Sequence, residues 1–246
     1  MKLLSFSIFI FIATAGFSQT AREIIEKSEA LVNGDANYGE MKMTIVRPTW
    51  TREMTMKSWT LGTDYSMILV MAPARDKGIG FLKRKKEIWN WQPKIDRIIK
   101  LPPSMMMQSW MGSDFTNDDL VKQSSPVNDF THELIKEESI DDRLCWKIKL
   151  IPKPNAAVVW GSILTWIDKK NYLHLKTEFY DETGELVNTM LGKNIKSMGG
   201  RTLPTLLEVI PAGKKNEKTM VEQLVLDYTV KMKENFFSIQ NIKNLQ

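Results

Sequence analysis

Few residues of this sequence have a type and spacing that would support catalysis. Cys145 is the only cysteine, and its place in an alternating strand pattern favours a buried, inert thiol, because a reactive thiol needs a basic neighbour. The two histidines, His132 and His174, also lie on strand patterns, without a serine, cysteine or carboxylate at a hydrolase spacing. Metalloprotease, CxxC and Gly-rich phosphate-loop motifs are absent from the sequence. We therefore expect a protein that is not an enzyme and uses no cofactor.

Three aspartates, Asp114, Asp118 and Asp119, lie close enough together to suggest a calcium loop, because Ca²⁺ takes clustered oxygen ligands. The glycine and the distant bidentate glutamate of the EF-hand spacing are missing. Capping of a short helix by Asp114 and Thr116 is the favoured interpretation, and Thr116 with Asp119 has the spacing of a capping box. We expect no metal.

Apolar side chains offer a different kind of chemistry, the binding of a flexible apolar ligand. The chain has fifteen methionines and eight tryptophans, and methionine suits apolar surfaces that adapt to variable partners. Trp89 with Trp91, and Trp160 with Trp166, are each expected to share one face of a strand. A packed core is the simpler interpretation of these residues. A soft interior too wide to fill itself would instead form a cavity, with a wall made by Met41, Met43, Met54, Met56, Met67, Trp89 and Trp91.

The segment Leu101–Ser125 interrupts the strand patterns. Pro102 and Pro103 break the preceding strand, and apolar residues then follow outside any strand: Met105, Met106, Met107, Trp110 and Met111. We expect short helices or a plug-like loop here that acts as a lid over the cavity.

The elements that must position these residues are mainly strands. A helical pattern spans Ala21–Leu31, and from Tyr38 onward apolar and polar residues alternate. The short, turn-forming gaps between runs favour hairpins. The sequence predicts a mainly β, curved antiparallel sheet of roughly eleven strands. This sheet should curl, partly or fully, into a barrel, in one domain over residues 19–246.

Residues 1–18 have the pattern of a cleavable signal peptide. Lys2 precedes an apolar stretch, and small residues before Gln19 predict cleavage near Ser18/Gln19. Later apolar runs are too short to span a bilayer, and no lipid-anchor cysteine lies near the cut. We expect a soluble periplasmic monomer without a transmembrane segment. The net charge of +5 does not favour nucleic acid and is compatible with transient contact with a membrane surface.

Several motifs resemble the outer-membrane lipoprotein-sorting protein family, relatives of the periplasmic lipoprotein carrier of the Lol pathway with a LolA/LolB-like fold. The most specific of these motifs is the MGSDF run from Met111 to Phe115. Together, the matching segments cover nearly the whole chain after residue 18. They are Ala72–Gly78, Phe81–Leu82, Glu87–Pro93, Arg97–Ile99, Trp110–Leu120, Cys145–Ile148, Trp166–Tyr172 and Glu178–Asp181. The resemblance implies an incomplete barrel around a hydrophobic cavity that takes acyl chains, closed by the N-terminal helix and short central helices or loops.

Three functional hypotheses follow. The first is a periplasmic carrier that binds acyl chains of a lipoprotein or a free lipid for transfer toward the outer membrane, with an inner-membrane exporter or an outer-membrane acceptor as partner. The second is a non-catalytic accessory subunit of an RND-type lipid exporter, docking through an exposed motif loop, Gly112, Ser113, Asp114 and Phe115. The third is a hydrolase of envelope lipids, which the scarcity of nucleophile–base pairs disfavours.

Overall fold

The computed structural model describes residues 19–121, 125–154 and 156–245. The predicted signal peptide lies outside these residues. None of the helices in the described ranges is long and apolar enough to cross a membrane.

The described residues form thirteen strands and three α-helices. The strands are β1 (Ala36–Arg47), β2 (Trp50–Leu61), β3 (Tyr65–Ala72), β4 (Gly80–Arg84), β5 (Glu87–Gln92), β6 (Arg97–Lys100), β7 (Phe130–Ile140), β8 (Arg143–Pro152), β9 (Ser162–Asp168), β10 (His174–Tyr180), β11 (Leu186–Met198), β12 (Arg201–Pro211) and β13 (Lys218–Asp227). The helices are α1 (Ala21–Asn33), α2 (Asn117–Val121) and α3 (Ile239–Asn244).

All thirteen strands belong to one antiparallel sheet with the order β6-β5-β4-β3-β2-β1-β13-β12-β11-β10-β9-β8-β7. Two meanders, β1–β6 and β7–β13, are joined where β1 pairs with β13, from Tyr38 opposite Asp227 to Val46 opposite Lys218. The sheet is curved but not closed, because β6 and β7 end it on opposite sides without pairing. The predicted fold class is confirmed, with thirteen strands in place of roughly eleven.

Helix α1 begins with a capping box. The Thr20 hydroxyl accepts from the Glu23 amide at 3.2 Å, and the Thr20 amide donates to the Glu23 carboxylate at 3.0 Å, which satisfies two otherwise unpaired groups at the helix start. Ile24 and Ile25 are fully buried and pack against the inner face of β7–β9, in a cluster that includes Ile148.

The two faces of the sheet are covered by different parts of the chain. On the inner face lie α1 and residues 101–121, which follow β6. On the outer face of β2–β5, residues after β13 cover an apolar surface with the buried side chains of Phe237 and Ile242. Gly80 permits this contact, because a Cβ there would lie 2.6 Å from the Ile242 side chain.

Candidate functional site

The candidate site lies between the inner face of the sheet and residues 101–121, here called the cover segment. This segment leaves the free edge at β6 and crosses the inner face toward β7. It contains two 3-10 turns, Pro103–Met105 and Trp110–Gly112, followed by α2.

The surfaces on both sides of this interface are apolar. From the cover segment, Met106, Trp110 and Phe115 are buried against the sheet, and the Trp110 ring lies 5.2 Å from that of Phe81. The sheet contributes a wall of buried residues from both meanders: Met43, Ile45, Met54, Met56, Ile68, Val70, Phe81, Ile88, Val209 and Val221. The cover segment therefore occupies the space in which the sequence predicted a cavity.

The structure does not bring all predicted wall residues together. Met43, Met54 and Met56 are buried on the inner face with half-buried Met41 beside them, whereas Met67, Trp89 and Trp91 belong to the outer cluster under the C-terminal segment. The alternation of apolar and polar residues shows which side chains of one strand share a face. Only the pairing of that strand with its neighbours determines which of its two faces becomes the inner face of the sheet.

Strand pairing also separates one predicted tryptophan pair. Trp89 and Trp91 share a face as expected, but Trp160 precedes β9 and packs inward near Phe179. Trp166 points outward between the ammonium groups of Lys147 and Lys176, each 4.5 Å from its ring centroid. The prediction of a shared face for Trp160 and Trp166 is wrong because only Trp166 lies within the strand.

The predicted lid residues are brought together, at different depths. Met106 and Trp110 are buried, Met105 and Met111 are partly buried, and Met107 is 47% exposed. Met107 lies at one margin of the cover segment beside an open groove of about 440 Å³. The groove has a mixed lining, with apolar residues such as Phe115, Trp160 and Leu186 and with the charged residues Asp114, Asp181, Glu185 and Lys214.

Asp114 fastens the cover segment to the sheet. Its carboxylate accepts two hydrogen bonds from the Arg47 guanidinium, both 3.0 Å long, and a third from the Thr219 hydroxyl at 2.7 Å. The Asn188 amide donates to the Asp114 carbonyl at 3.1 Å. Paired, hydrogen-bonded charges of this kind are strong when shielded from water, and the Asp114 side chain is 6% exposed. We call these four residues the latch.

The latch corrects two expectations about the motif loop. Asp114 forms an ion pair and caps no helix, whereas the Thr116–Asp119 capping arrangement is confirmed by reciprocal bonds of 2.8 and 3.1 Å. The expected exposed docking loop is also wrong. Ser113 and Phe115 are buried, and Gly112 alone among the four motif residues is exposed, because the loop is drawn onto the sheet through Asp114.

Two features of the cover segment are energetically unfavourable in its closed position. The buried indole nitrogen of Trp110 has no hydrogen-bond partner among the described residues, which commonly costs about 1–3 kcal/mol. Met111 has a φ of 49°, a left-handed conformation that is unfavourable for an unbranched L-residue. The Arg52 side chain donates to the Met111 carbonyl and so holds this turn in place.

Asp119 is a titratable residue in α2, at the C-terminal end of the cover segment. Burial raises the pKa of its carboxyl to about 6, against the opposing effect of hydrogen bonds from Thr116 and Trp160. The neighbouring Asp118 raises it further.

The remaining candidate groups lie away from this interface. Burial raises the pKa of the Cys145 thiol to about 11, so the thiolate is scarce at neutral pH. His132 Nε2 lies 2.8 Å from the Pro126 carbonyl, and His174 Nδ1 lies 3.2 Å from the Thr165 hydroxyl. Within the described ranges, no three His, Cys, Asp or Glu side chains are arranged to hold a metal ion.

Sequence reasoning missed three of the four latch residues. Arg47, Asn188 and Thr219 come from three different strands, β1, β11 and β13. Nothing in the local sequence distinguishes Arg47 from the other basic residues, so only the pairing of β1 with β13 reveals it.

Comparison with known proteins places the chain in a family. A family model described as "Uncharacterized protein" matches residues 62–244. The chain belongs to this family. No curated protein sequence matches it.

Solved structures identify the fold. A DUF1329 family protein from Desulfovibrio piger is 21% identical with a TM-score of 0.82, over 90% of this chain and 97% of its own. A proposed outer membrane lipoprotein-sorting protein domain from Vibrio parahaemolyticus is 20% identical with a TM-score of 0.81, over 91% and 98%. A LolA superfamily protein from Nitrosomonas europaea is 21% identical with a TM-score of 0.79, over 91% and 99%. The chain has the same fold as these proteins, which is the fold that the resemblance in the sequence implied.

Proposed function

We propose that this protein is a non-catalytic periplasmic carrier that binds acyl chains of a lipoprotein or free lipid between the inner face of the sheet and the cover segment. The observation that carries the proposal is the methionine-rich interface at which Met106 and Trp110 lie against Met43, Met54 and Met56. In this closed form the cover segment fills the place that a ligand would take.

An acyl chain suits this interface because it offers almost no hydrogen bonding. Its binding depends on buried apolar area, at about 25 cal/mol per Å², and methionine side chains conform to chains of different length. The indole N–H of Trp110, which lacks a hydrogen-bond partner among the described residues, and the left-handed backbone conformation of Met111 reduce the stability of the closed form. Both features favour exchange of the cover segment for a ligand.

The latch and the groove have complementary roles in this proposal. Arg47 and Asp114 hold the cover segment closed when no ligand is bound. The groove beside Met107 gives an apolar chain a point of entry at the margin of the segment. Cargo passes from an inner-membrane exporter to an outer-membrane acceptor, and the signal peptide predicted over residues 1–18 delivers the protein to that compartment.

Binding of a fluorescent fatty acid in solution tests the proposal. We expect saturable binding that a natural fatty acid competes away, and a lipid adduct in native mass spectra of protein purified from membranes. A protein that is lipid-free in those spectra and does not bind the fluorescent fatty acid would overturn the proposal.

Variants locate the bound chain. Met54→Gln and Met56→Gln, on the inner face, should weaken fatty-acid binding by about tenfold, whereas Met67→Gln on the outer face should leave it unchanged. All three methionines are buried, so the outer variant controls for general loss of stability. Equal weakening by all three would place the ligand elsewhere.

A further inference from the structure

The net charge of the chain is concentrated at one edge of the sheet. Residues 83–100 contain seven basic and two acidic side chains, a net charge of +5, which equals that of the whole sequence. The rest of the chain is therefore neutral overall. We call residues 83–100, which comprise the end of β4, β5, the following turn and β6, the basic edge.

Most cations of the basic edge face water without a counter-charge. Glu87 pairs with Lys100, and Asp96 pairs with Lys243 of α3. Among the described residues no carboxylate lies within ion-pairing distance of the other exposed cations on this edge, which are Arg84, Lys85, Lys86, Lys94 and Arg97.

Exposed apolar side chains lie between these cations. Ile95 is 60% exposed and Ile99 is 43% exposed. At the other end of β6, a hollow of about 480 Å³ combines Lys86 and the Lys100–Glu87 ion pair with the apolar surfaces of Leu101, Pro102 and Pro103. Cations beside exposed aliphatic groups are the combination that binds the interface of an anionic bilayer.

The opposite free edge provides a contrast within the same molecule. Strand β7 also exposes aliphatic side chains, Leu134 and Ile135, but it carries three glutamates and one lysine. An anionic surface would repel that edge, so the charge distribution selects one orientation.

We propose that the basic edge docks the protein on the surface of a bilayer that contains anionic lipid. The contact is peripheral, with lysine and arginine side chains at the headgroups and Ile95 and Ile99 inserted at the interface. Because β6 continues directly into Leu101, docking brings the start of the cover segment to the bilayer surface. Docking on a bilayer is a property separate from acyl-chain binding and does not require it.

Vesicle flotation tests this docking with the full-length mature protein. We expect binding to phosphatidylcholine vesicles that contain phosphatidylglycerol, loss of binding at high salt, and little binding to phosphatidylcholine alone. If the protein does not bind vesicles that contain phosphatidylglycerol, the proposal is wrong. The alternative in that case is that the basic edge binds an acidic protein partner.

Two double variants and one control locate the contact. Lys86→Glu with Arg97→Glu should weaken vesicle binding at least about tenfold, and Ile95→Ser with Ile99→Ser should weaken it severalfold without changing the salt dependence. Lys196→Glu with Lys215→Glu makes the same change in net charge at exposed positions elsewhere and should retain most binding. Equal losses in the charge variant and this control would refute a localised docking surface.

Fatty-acid binding in solution separates this proposal from the proposed carrier function. The Lys86→Glu, Arg97→Glu variant should bind the fluorescent fatty acid as the unaltered protein does, with an unchanged unfolding midpoint. Loss of vesicle binding with intact fatty-acid binding supports docking, whereas loss of both with a lowered midpoint would mean that the substitutions disturb the fold and would refute a surface role.

Discussion

At the scale of single residues, Asp114 acquires its role from residues far away in the sequence. A carboxylate next to a short helix suggests a cap, but the Arg47 and Thr219 side chains hold it instead. These contacts join the motif loop to β1 and β13, the central pair of strands. The capping arrangement of Thr116 and Asp119 was predictable because all of its atoms lie within four residues, whereas the latch was not.

Asp114→Asn should lower the free energy of unfolding by about 2–4 kcal/mol, because it leaves the largely buried Arg47 guanidinium without its main counter-charge. Urea denaturation measures the change. Glu53→Gln, which breaks an exposed ion pair with Lys42, should cost less than about 1 kcal/mol. Similar losses in both variants would mean that the latch contributes no more than a surface pair.

Asp119 should make stability depend on pH in an unusual direction for a carboxylate. Burial raises its folded-state pKa to about 6, above the value near 4 of an unfolded chain. Between these values the folded protein retains a proton that the unfolded chain has lost, so this contribution to stability falls as pH rises from about 4 to 6 and is constant above. Asp119→Asn should remove it, as thermal melts across that range would detect. An unchanged pH profile in the variant would contradict this assignment.

At the scale of elements, the periodicity of the sequence predicted the positions of the strands better than it predicted which strands pair. The helical pattern predicted at Ala21–Leu31 corresponds to α1, and the alternation predicted from Tyr38 onward begins within β1. The pairing of β1 with β13 depends on the whole chain, and it decides which methionines share the inner face. Helix α3 was missed, although Ser238 as its cap and Ile239 with Ile242 at a helical spacing were visible signals.

Helix α3 provides a matched pair of substitutions. Ile242 is fully buried over Gly80, whereas Ile239, on the same helix, is 41% exposed. Ile242→Ala should destabilise the protein by about 2–4 kcal/mol, and Ile239→Ala by less than about 0.5 kcal/mol. Guanidinium denaturation gives both values. A small effect of Ile242→Ala would mean that the C-terminal segment contributes little to covering the outer face.

At the scale of the whole molecule, the cover segment is the part best placed to move. It begins at the free edge of the sheet formed by β6, and its closed position depends on the latch as well as on apolar packing. The hydrogen-bonded strands β1 and β13 lie at the centre of the sheet and should open only with the whole fold.

Hydrogen exchange can distinguish local opening of the cover segment from global unfolding. Amides that are hydrogen-bonded within residues 101–121 should exchange faster than those of β1 and β13. Low concentrations of urea should accelerate the strand amides by a larger factor than the cover amides, because local opening exposes less surface than global unfolding. Cover amides that exchange as slowly as the strand amides, with the same dependence on urea, would indicate that the cover segment opens only when the protein unfolds.

The β1–β13 pair also has a consequence for the order in which the chain can fold. Each meander is built from hairpins between neighbouring strands, which need only local chain closure and form early. The two meanders can become one sheet only when Tyr38 reaches Asp227 from the other end of the described chain. Completion of the latch waits for the same event, because Arg47 lies on β1 and Thr219 on β13. A chain in which β13 has not yet paired with β1 would thus hold two unjoined half-sheets, and the closed inner face would form only after that pairing.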